Sequence, residues 1–340
     1  MTSITSSTDR TRVLSGITPS GPLTLGNYLG ALRRFVDGQD RSDGYFFVAD
    51  LHAMTTEHEP SRLHELTLQT AALFLAAGLD PRRSTVFVQS HVATHVELAY
   101  LLECTAYVGE LGRMIQFKEK GGRPKTRASL FTYPCLMASD ILLYDARSVP
   151  VGGDQDQHVE LARDLALRFN REYGETFVVP DLAKAALAAR VADLAEPIAK
   201  MSKSAPDAAM GVIRMRDEPT LIKRKIGRAV TDSDDSADPV RYDPEAKPGV
   251  SNLLDIIAVV EGSDPVDVAT RFTSYGALKT ACTDAVVGVL EPIQQRYAEL
   301  RADEGELRRA LAVGAARALE TSAPVLVRAR TAMGLVAPGG

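Results

Sequence analysis

The sequence has 340 residues, 45% of them hydrophobic and 24% charged, with a net charge of −5 at pH 7. That length predicts two domains, and the composition excludes a disordered or fibrous chain in favour of a globular one with a sizeable core. The acidic balance excludes general attraction to nucleic acid, so any RNA contact needs a local basic patch, and three scattered cysteines (Cys104, Cys135 and Cys282) form no metal spacing and fit reduced thiols in a cytoplasmic protein.

Residues 1–12 are polar and Ser/Thr-rich without an apolar stretch, which predicts a flexible tail and not a signal peptide. The apolar run from Ala71 to Leu79 is too short to cross a membrane, so no membrane partner is expected. Val13-Leu14 opens a strand that runs into Ser15-Gly16-Ile17-Thr18-Pro19-Ser20-Gly21-Pro22, a tight loop before a helix beginning around Leu23-Thr24-Leu25-Gly26-Asn27. A strand, a glycine-rich loop and a helix start can hold a phosphate through free N–H groups and the helix dipole. Gly26 would clear space for a ligand; an ordinary strand–helix turn would look the same.

Tyr45 to Asp50 reads as a buried strand leading to His52, and Ser84 to Ser90 as a second. Helical periodicity covers Arg62–Ala77 and Val96–Val108. Met114 to Arg127 carries five cations, Lys120 among them, beside Gly121-Gly122, as either a phosphate-meeting flap or a solvated loop. A helix is predicted over Tyr133–Tyr144, with Asp140 set among Leu136, Met137, Ile141 and Leu142. A buried carboxylate needs a donor, which is either a substrate N–H or an internal partner. Val149-Pro150-Val151 reads as another strand, followed by Gly152-Gly153-Asp154-Gln155 and a helix start. Asp154 and Gln157 fit a capping box, while the paired glycines fit close approach of a ligand whose ribose Asp154 could hold. Strands alternating with helices predict an α/β fold, a Rossmann-like doubly wound parallel sheet.

Lys200-Met201-Ser202-Lys203-Ser204 lies between Pro197 and Pro206, so a helix through it is not expected. Its ammonium and hydroxyl groups suit a polyphosphate that gains charge during transfer, or else form a solvated basic turn. Only helical patterns follow: Glu218–Ala229 with Lys223, Arg224, Lys225 and Arg228, then Ser251–Val260, Pro265–Thr273 and Leu278–Leu319, with an acidic, turn-rich stretch at Thr231–Asp243. The basic helix is the best candidate for RNA contact. The expected organisation is a tail at 1–12, a Rossmann-like catalytic domain at 13–206, an all-helical second domain at 207–303, and a C-terminal helix near 304–335 packing back on the first domain.

Together these blocks resemble the bacterial tryptophanyl-tRNA synthetases, a family of class I aminoacyl-tRNA synthetases. Thr24-Leu25-Gly26-Asn27 matches the first class I signature and Lys200 to Ser204 the second. Gly152 to His158, Gly109-Glu110-Leu111 with Gln116 to Lys120, Met137 to Tyr144, Thr231-Asp232-Ser233 and Lys247 to Leu253 are also family-like, so the resemblance spans Leu14 to Gly334. It implies ATP-dependent activation of L-tryptophan and its transfer to tRNA(Trp) by a cytoplasmic homodimer. Mg²⁺ would be held through the ATP phosphates with no protein metal site, and the helical domain would read the anticodon.

The resemblance implies tryptophan contacts at Leu14, Ser15, His52, Tyr133, Met137, Asp140, Val149, Val151 and Gln155, with Asp140 accepting the indole N–H. ATP contacts are implied at Thr18, Pro19, Ser20, Thr24, Gly26, Asn27, Gly152, Gly153, Asp154, Val191, Lys200, Met201, Ser202, Lys203 and Ser204, and catalytic roles at Lys120, Lys200, Ser202 and Lys203. Three positions depart from the family pattern: Thr18 for Gln, Gly153 for Glu and Ala205 for Asp. Thr18 removes a long amide donor, which implies altered contacts to the substrate carboxylate or ATP and altered sensitivity to a tryptophan-competitive inhibitor. A tyrosyl-tRNA synthetase, a small-molecule adenylyltransferase and an inactive paralogue with a binding role are the competing readings.

Overall fold

The structure is a computed structural model that describes residues 10–122, 124–147, 156–181, 191–234, 236 and 238–337. The predicted strand at Val149–Val151, the segment Gly152–Gln155 and residues 182–190 lie outside these residues.

Three parallel strands, β1 (Arg12–Ile17), β2 (Asp43–Val48) and β3 (Thr85–Val88), pair in the order β1-β2-β3. Arg12 lies opposite Asp43, and Tyr45 opposite Thr85. The last five residues of β2 and all of β3 are buried, as expected of a parallel sheet covered on both faces. Alternation then sorts their side chains. Ile17, Phe46, Val48, Val86 and Val88 enter one core, and Leu14, Tyr45, Phe47 and Phe87 the other.

The crossover from β1 to β2 contains α1 (Leu25–Asn27), a π-helical turn (Tyr28–Leu32) and α2 (Arg33–Gly38). That from β2 to β3 contains α3 (Asp50–Ala53) and α4 (Pro60–Ala76). There follow α5 (Thr94–Glu103), α6 (Val108–Leu111), α7 (Ile115–Lys120), α8 (Ala128–Leu142) and α9 (Asp156–Tyr173). The helical remainder comprises α10 (Pro219–Gly227), α11 (Pro248–Glu261), α12 (Pro265–Ala269), α13 (Tyr275–Ala302) and α14 (Glu304–Ala332). The first core runs without a break from Leu29 and Phe46 into Ile213, Leu253, Val286 and Leu300. The predicted α/β class with a helical region is therefore present.

Several predicted boundaries move. The helix expected from Leu278 to Leu319 divides at Asp303, which caps α14 by accepting from Gly305 N; an N-cap carboxylate competes with helix continuation. The helix expected over Val96–Val108 ends at Glu103 and resumes as α6. Part of the cationic stretch is helical, as α7. The helix expected to start at Tyr133 starts at Ala128 and runs through Pro134. A proline there removes one hydrogen bond at a cost of roughly 3 kcal/mol, and the buried Leu130, Tyr133, Pro134 and Cys135 offset it through packing.

By length and composition α14 is apolar enough to cross a bilayer, yet it lies along β3. Its Ser322 and Thr321 hydroxyls meet Thr94 Oγ1 at 2.8 Å and Tyr45 Oη at 2.9 Å. At Gly314 a Cβ would sit 1.8 Å from the Val86 carbonyl oxygen, whereas at Gly288 in α13 it would meet nothing within 4 Å. Alanine at these two helical glycines should therefore act with opposite sign. Gly314→Ala should lose about 1–3 kcal/mol by overpacking, and Gly288→Ala should gain up to about 1 kcal/mol from helix propensity; denaturant titration of both variants measures this.

Candidate active site

The carboxyl ends of the strands deliver the first elements of the site, as open parallel sheets do. Thr18 follows β1, Asp50 and His52 follow β2, and Gln89 follows β3. Asp140, on α8, is buried and accepts from three side chains. Its Oδ1 takes Gln89 Nε2 and His95 Nδ1, each at 2.7 Å, and its Oδ2 takes His52 Nε2 at 2.8 Å. With Nδ1 donating to Asp140, the His95 ring accepts from the Tyr144 hydroxyl at Nε2, 2.8 Å away. Burial alone would raise the Asp140 carboxyl, but the hydrogen bonds from His52 and His95 outweigh it and hold it below its ordinary value. A carboxylate has about four acceptor positions, so this network leaves one on Oδ2.

Tyr133, about two turns earlier on α8, is buried with its hydroxyl 2.6 Å from His158 Nε2, and burial pushes its pKa up to about 12. Met137 is half-buried on the same helix, and Leu14 packs in the adjoining core. Ser15 is half-buried on β1.

The lysine–serine loop meets the loop after β1. Lys203 Nζ donates to the Thr18 carbonyl at 2.8 Å. At Gly21 a Cβ would stand 2.4 Å from the Lys203 carbonyl oxygen, so only glycine allows this backbone approach. Desolvation, then the charge of Lys200, lowers the Lys203 ammonium to about 8. Lys200, Ser202 and Ser204 are exposed, and the two hydroxyls lie 2.9 Å apart. Val191 O accepts from Met201 N at 3.2 Å, and Gly26 sits between Val191 and Met201, whose Cβ atoms would lie 3.6 and 3.7 Å from its missing one.

Some sequence expectations change here. The N–H groups at the start of α1 do not form an open cradle, because Leu25 N donates to Ile213 O at 2.8 Å and Asn27 N to Thr24. Thr24 is fully buried, and its hydroxyl and N–H both donate to Asn27 Oδ1; it is a helix cap, not a ligand-facing residue. Met201 turns its side chain into the first core, leaving its backbone at the site. Pro19 is buried and Ser20 exposed beside it. Lys225 is not an exposed cation of the basic helix. It is buried, 2.6 Å from both Asp217 Oδ2 and Val212 O, because its position shares a face with Ile222 and Ile226. Lys223, Arg224 and Arg228 remain exposed. Val149, Val151, Gly152, Gly153, Asp154, Gln155 and the Lys120 side chain lie outside what the structure describes. Sequence reasoning missed Gln89 and His95 as partners of Asp140, and Tyr144 as the partner of His95; the polar end of β3 was the available signal for Gln89.

The family model of the class I tRNA synthetases (W and Y) matches residues 6–294, and the chain belongs to that family of aminoacyl-tRNA synthetases. It is 52% identical to tryptophan--tRNA ligase 1 of Streptomyces coelicolor, over 96% of this chain and 98% of the relative. It is 46% identical to tryptophan--tRNA ligase of Mycobacterium leprae, over 99% and 100%. Among solved structures, tryptophanyl-tRNA synthetase of Mycoplasma pneumoniae superposes with a TM-score of 0.87 at 34% identity, covering 96% of this chain and 98% of the other. The Campylobacter jejuni enzyme complexed with ADP and tryptophan gives 0.80 at 34%, covering 95% and 100%.

Two expectations follow from these electrostatics. Lys203 is about half protonated near pH 8, and a bound polyphosphate would raise its pKa by opposing charge. On ATP binding Lys203 should therefore take up about half a proton at pH 8 and none at pH 6, where it is already protonated. Calorimetry in buffers of different ionisation enthalpy reads the uptake, which Lys203→Gln should abolish. Asp140 has its pKa lowered by folding, so it adds stability above the unfolded carboxyl pKa, lost as pH falls through the native value. Asp140→Asn should cost about 3 kcal/mol at pH 7 and flatten the acid limb below pH of about 4, read by denaturation across pH.

Proposed function

We infer that the chain is a tryptophan--tRNA ligase: it activates L-tryptophan with ATP and transfers it to tRNA(Trp). The observation that carries this reading is the pairing of one remaining acceptor on the buried Asp140 with a Lys200–Lys203 loop docked on Thr18, at one sheet edge. An indole offers one N–H donor, which fits that acceptor. A substrate lacking the N–H would leave it unpaired. Tyr133, with Gln155, would hold the ammonium, and Met137, Val149 and Val151 would line the ring with Leu14, Ser15 and His52.

In the first step the tryptophan carboxylate oxygen forms a bond to the α-phosphorus of ATP, and the bond to the bridging oxygen breaks to release pyrophosphate. The carboxylate is already ionised, so no protein base is required. Catalysis rests on positioning and on opposing the charge that develops on the leaving group. Lys200 and Lys203 oppose it, with Lys120, and Ser202 and Ser204 donate hydrogen bonds. Lys203 must exchange the Thr18 carbonyl for phosphate oxygens. Thr18, Pro19, Ser20, Gly26 and Asn27 border the nucleotide, with Val191 and Met201 at the adenine and Gly152, Gly153 and Asp154 at the ribose. In the second step the 3′-terminal ribose hydroxyl attacks the acyl carbonyl and AMP leaves.

Among the described residues no cluster of acidic, histidine or cysteine side chains suits a metal. A donor set of lysines and hydroxyls fits Mg²⁺ held by phosphates and water, where it would neutralise phosphate charge. Exposed Val96, Tyr100, Tyr107, Val108 and Ile115, on successive helices α5 to α7 and the cap of α6, support a homodimer. Lys223, Arg224 and Arg228 support tRNA contact by the helical region, which would place the anticodon there. A cytoplasmic location accords with translation.

Amino-acid-dependent exchange of pyrophosphate into ATP tests the reading. Tryptophan alone should support exchange, and Lys203→Ala should slow it by roughly 100-fold. Exchange with tyrosine instead, or none with any amino acid, would refute it.

A further inference from the structure

We propose that Asn252, on α11, is a positioning residue for the nucleotide half of the reaction, acting through the strand-like segment at 191–193. The inference rests on the ligase reading above and adds a residue that touches no substrate.

The geometry is that of an amide in place of a strand. Ala192 and Lys200 form an antiparallel bridge, flanked by Asp193 N to Ala199 O at 2.9 Å and Met201 N to Val191 O at 3.2 Å. In such a bridge the N–H and C=O of the central residue point away from the partner strand. On that side Asn252 takes both: its Oδ1 accepts from Ala192 N at 2.8 Å, and its Nδ2 donates to Ala192 O at 3.2 Å. Asn252 and Ala192 are both buried, so water does not substitute.

The clasped segment is continuous with the lysine loop. Lys200 is the bridge partner of Ala192, Met201 is bonded to Val191, and Lys203 lies two residues beyond Met201. Val191 and Met201 also flank Gly26 of the first signature. A shift of Ala192 therefore displaces both the surface beside Gly26 and the stem from which both lysines project. Asn252 itself is held by a fixed helix. At the N-terminus of α11 the buried Lys247 binds Asp232 at 2.9 Å and Asp234 at 2.8 Å. At its C-terminus Arg33 donates to Val259 O at 2.7 Å and Val260 O at 3.1 Å. These contacts fix α11 to the acidic turn and to α2, so the clasp transmits a set position to the loop. The Asp140 network lies beside the other core and shares no residue with this path.

The test uses Asn252→Ala and Asn252→Asp in the full chain. The sequence contains no Trp, so fluorescence of bound tryptophan reports its pocket without protein background. Asn252→Ala should bind tryptophan as wild type but show weaker equilibrium ATP binding and a KM for ATP raised about tenfold. Asn252→Asp keeps an acceptor for Ala192 N but sets a buried carboxylate oxygen against Ala192 O, and should weaken ATP binding at least as much as Asn252→Ala; each variant carries the same test if the other does not fold. Unchanged ATP affinity in a variant with normal tryptophan binding would overturn the proposal. So would equal weakening of both substrates alongside lower thermal stability, which marks a merely structural residue. Absence of tryptophan-dependent exchange in the wild type would refute the ligase reading instead, and ATP binding would still decide the role of Asn252.

Discussion

The buried carboxylate of Asp140 is the constraint around which the proposed amino-acid side of the molecule is built. A charge in that position survives only if its desolvation is offset by donors. Those donors come from three elements: His52 from α3, Gln89 from the end of β3 and His95 from α5. One side chain on α8 thus fixes the spacing of the strand ends and of two helices. The network extends outward, because Tyr144 engages His95 and Ser139 Oγ donates to the His95 carbonyl at 2.7 Å. It also limits what can enter, since three of the carboxylate's acceptor positions are already filled.

The proposed nucleotide side uses a different principle. Few of its groups are buried ions, and its geometry comes from backbone pairing. Residues 213 and 215 bond to 25 and 23, residues 191 and 193 bond to 201 and 199, and side-chain amides complete the edges. Such pairing fixes a loop's stem while leaving its tip exposed, as Lys200, Ser202 and Ser204 are. Lys203 is the exception. Its partly desolvated ammonium rests on a neutral carbonyl, a weaker partner than a phosphate. A polyphosphate can therefore displace the Thr18 contact, and loop movement would follow the charge.

The parts of this arrangement that are local in sequence were legible there. The strands, their polar ends, the odd carboxylate at Asp140 and the helical remainder follow from periodicity and from turn residues. The loop motifs, through their resemblance to a family, supplied the chemistry. What was not legible was pairing at a distance. Nothing near Asp140 names Gln89 or His95, 51 and 45 residues away, as its donors. Lys225 looked like one more cation on a basic helix because charge was counted before helical face; its spacing from Ile222 already placed it inward. Asp303 with Glu306 was likewise a readable cap, overridden by the apolar pattern on either side. The helix predicted to start at Tyr133 starts at Ala128 and runs through Pro134, because in a buried helix the loss of one hydrogen bond is outweighed by packing.

The two sides touch different cores, separated by a sheet whose strands send alternate residues to each. The substrates of an adenylation must nevertheless meet with little freedom, since orientation supplies much of the rate. The sheet's carboxyl edge resolves this. β1 leads to Thr18 on the proposed nucleotide side, and β2 leads to His52 on the proposed amino-acid side; Gly16 pairs with Phe47 and Ile17 with Val48 in the same register. The separation between the two half-sites is thus set by strand spacing within a fully hydrogen-bonded ladder, the stiffest element available. The lysine loop is not part of that ladder.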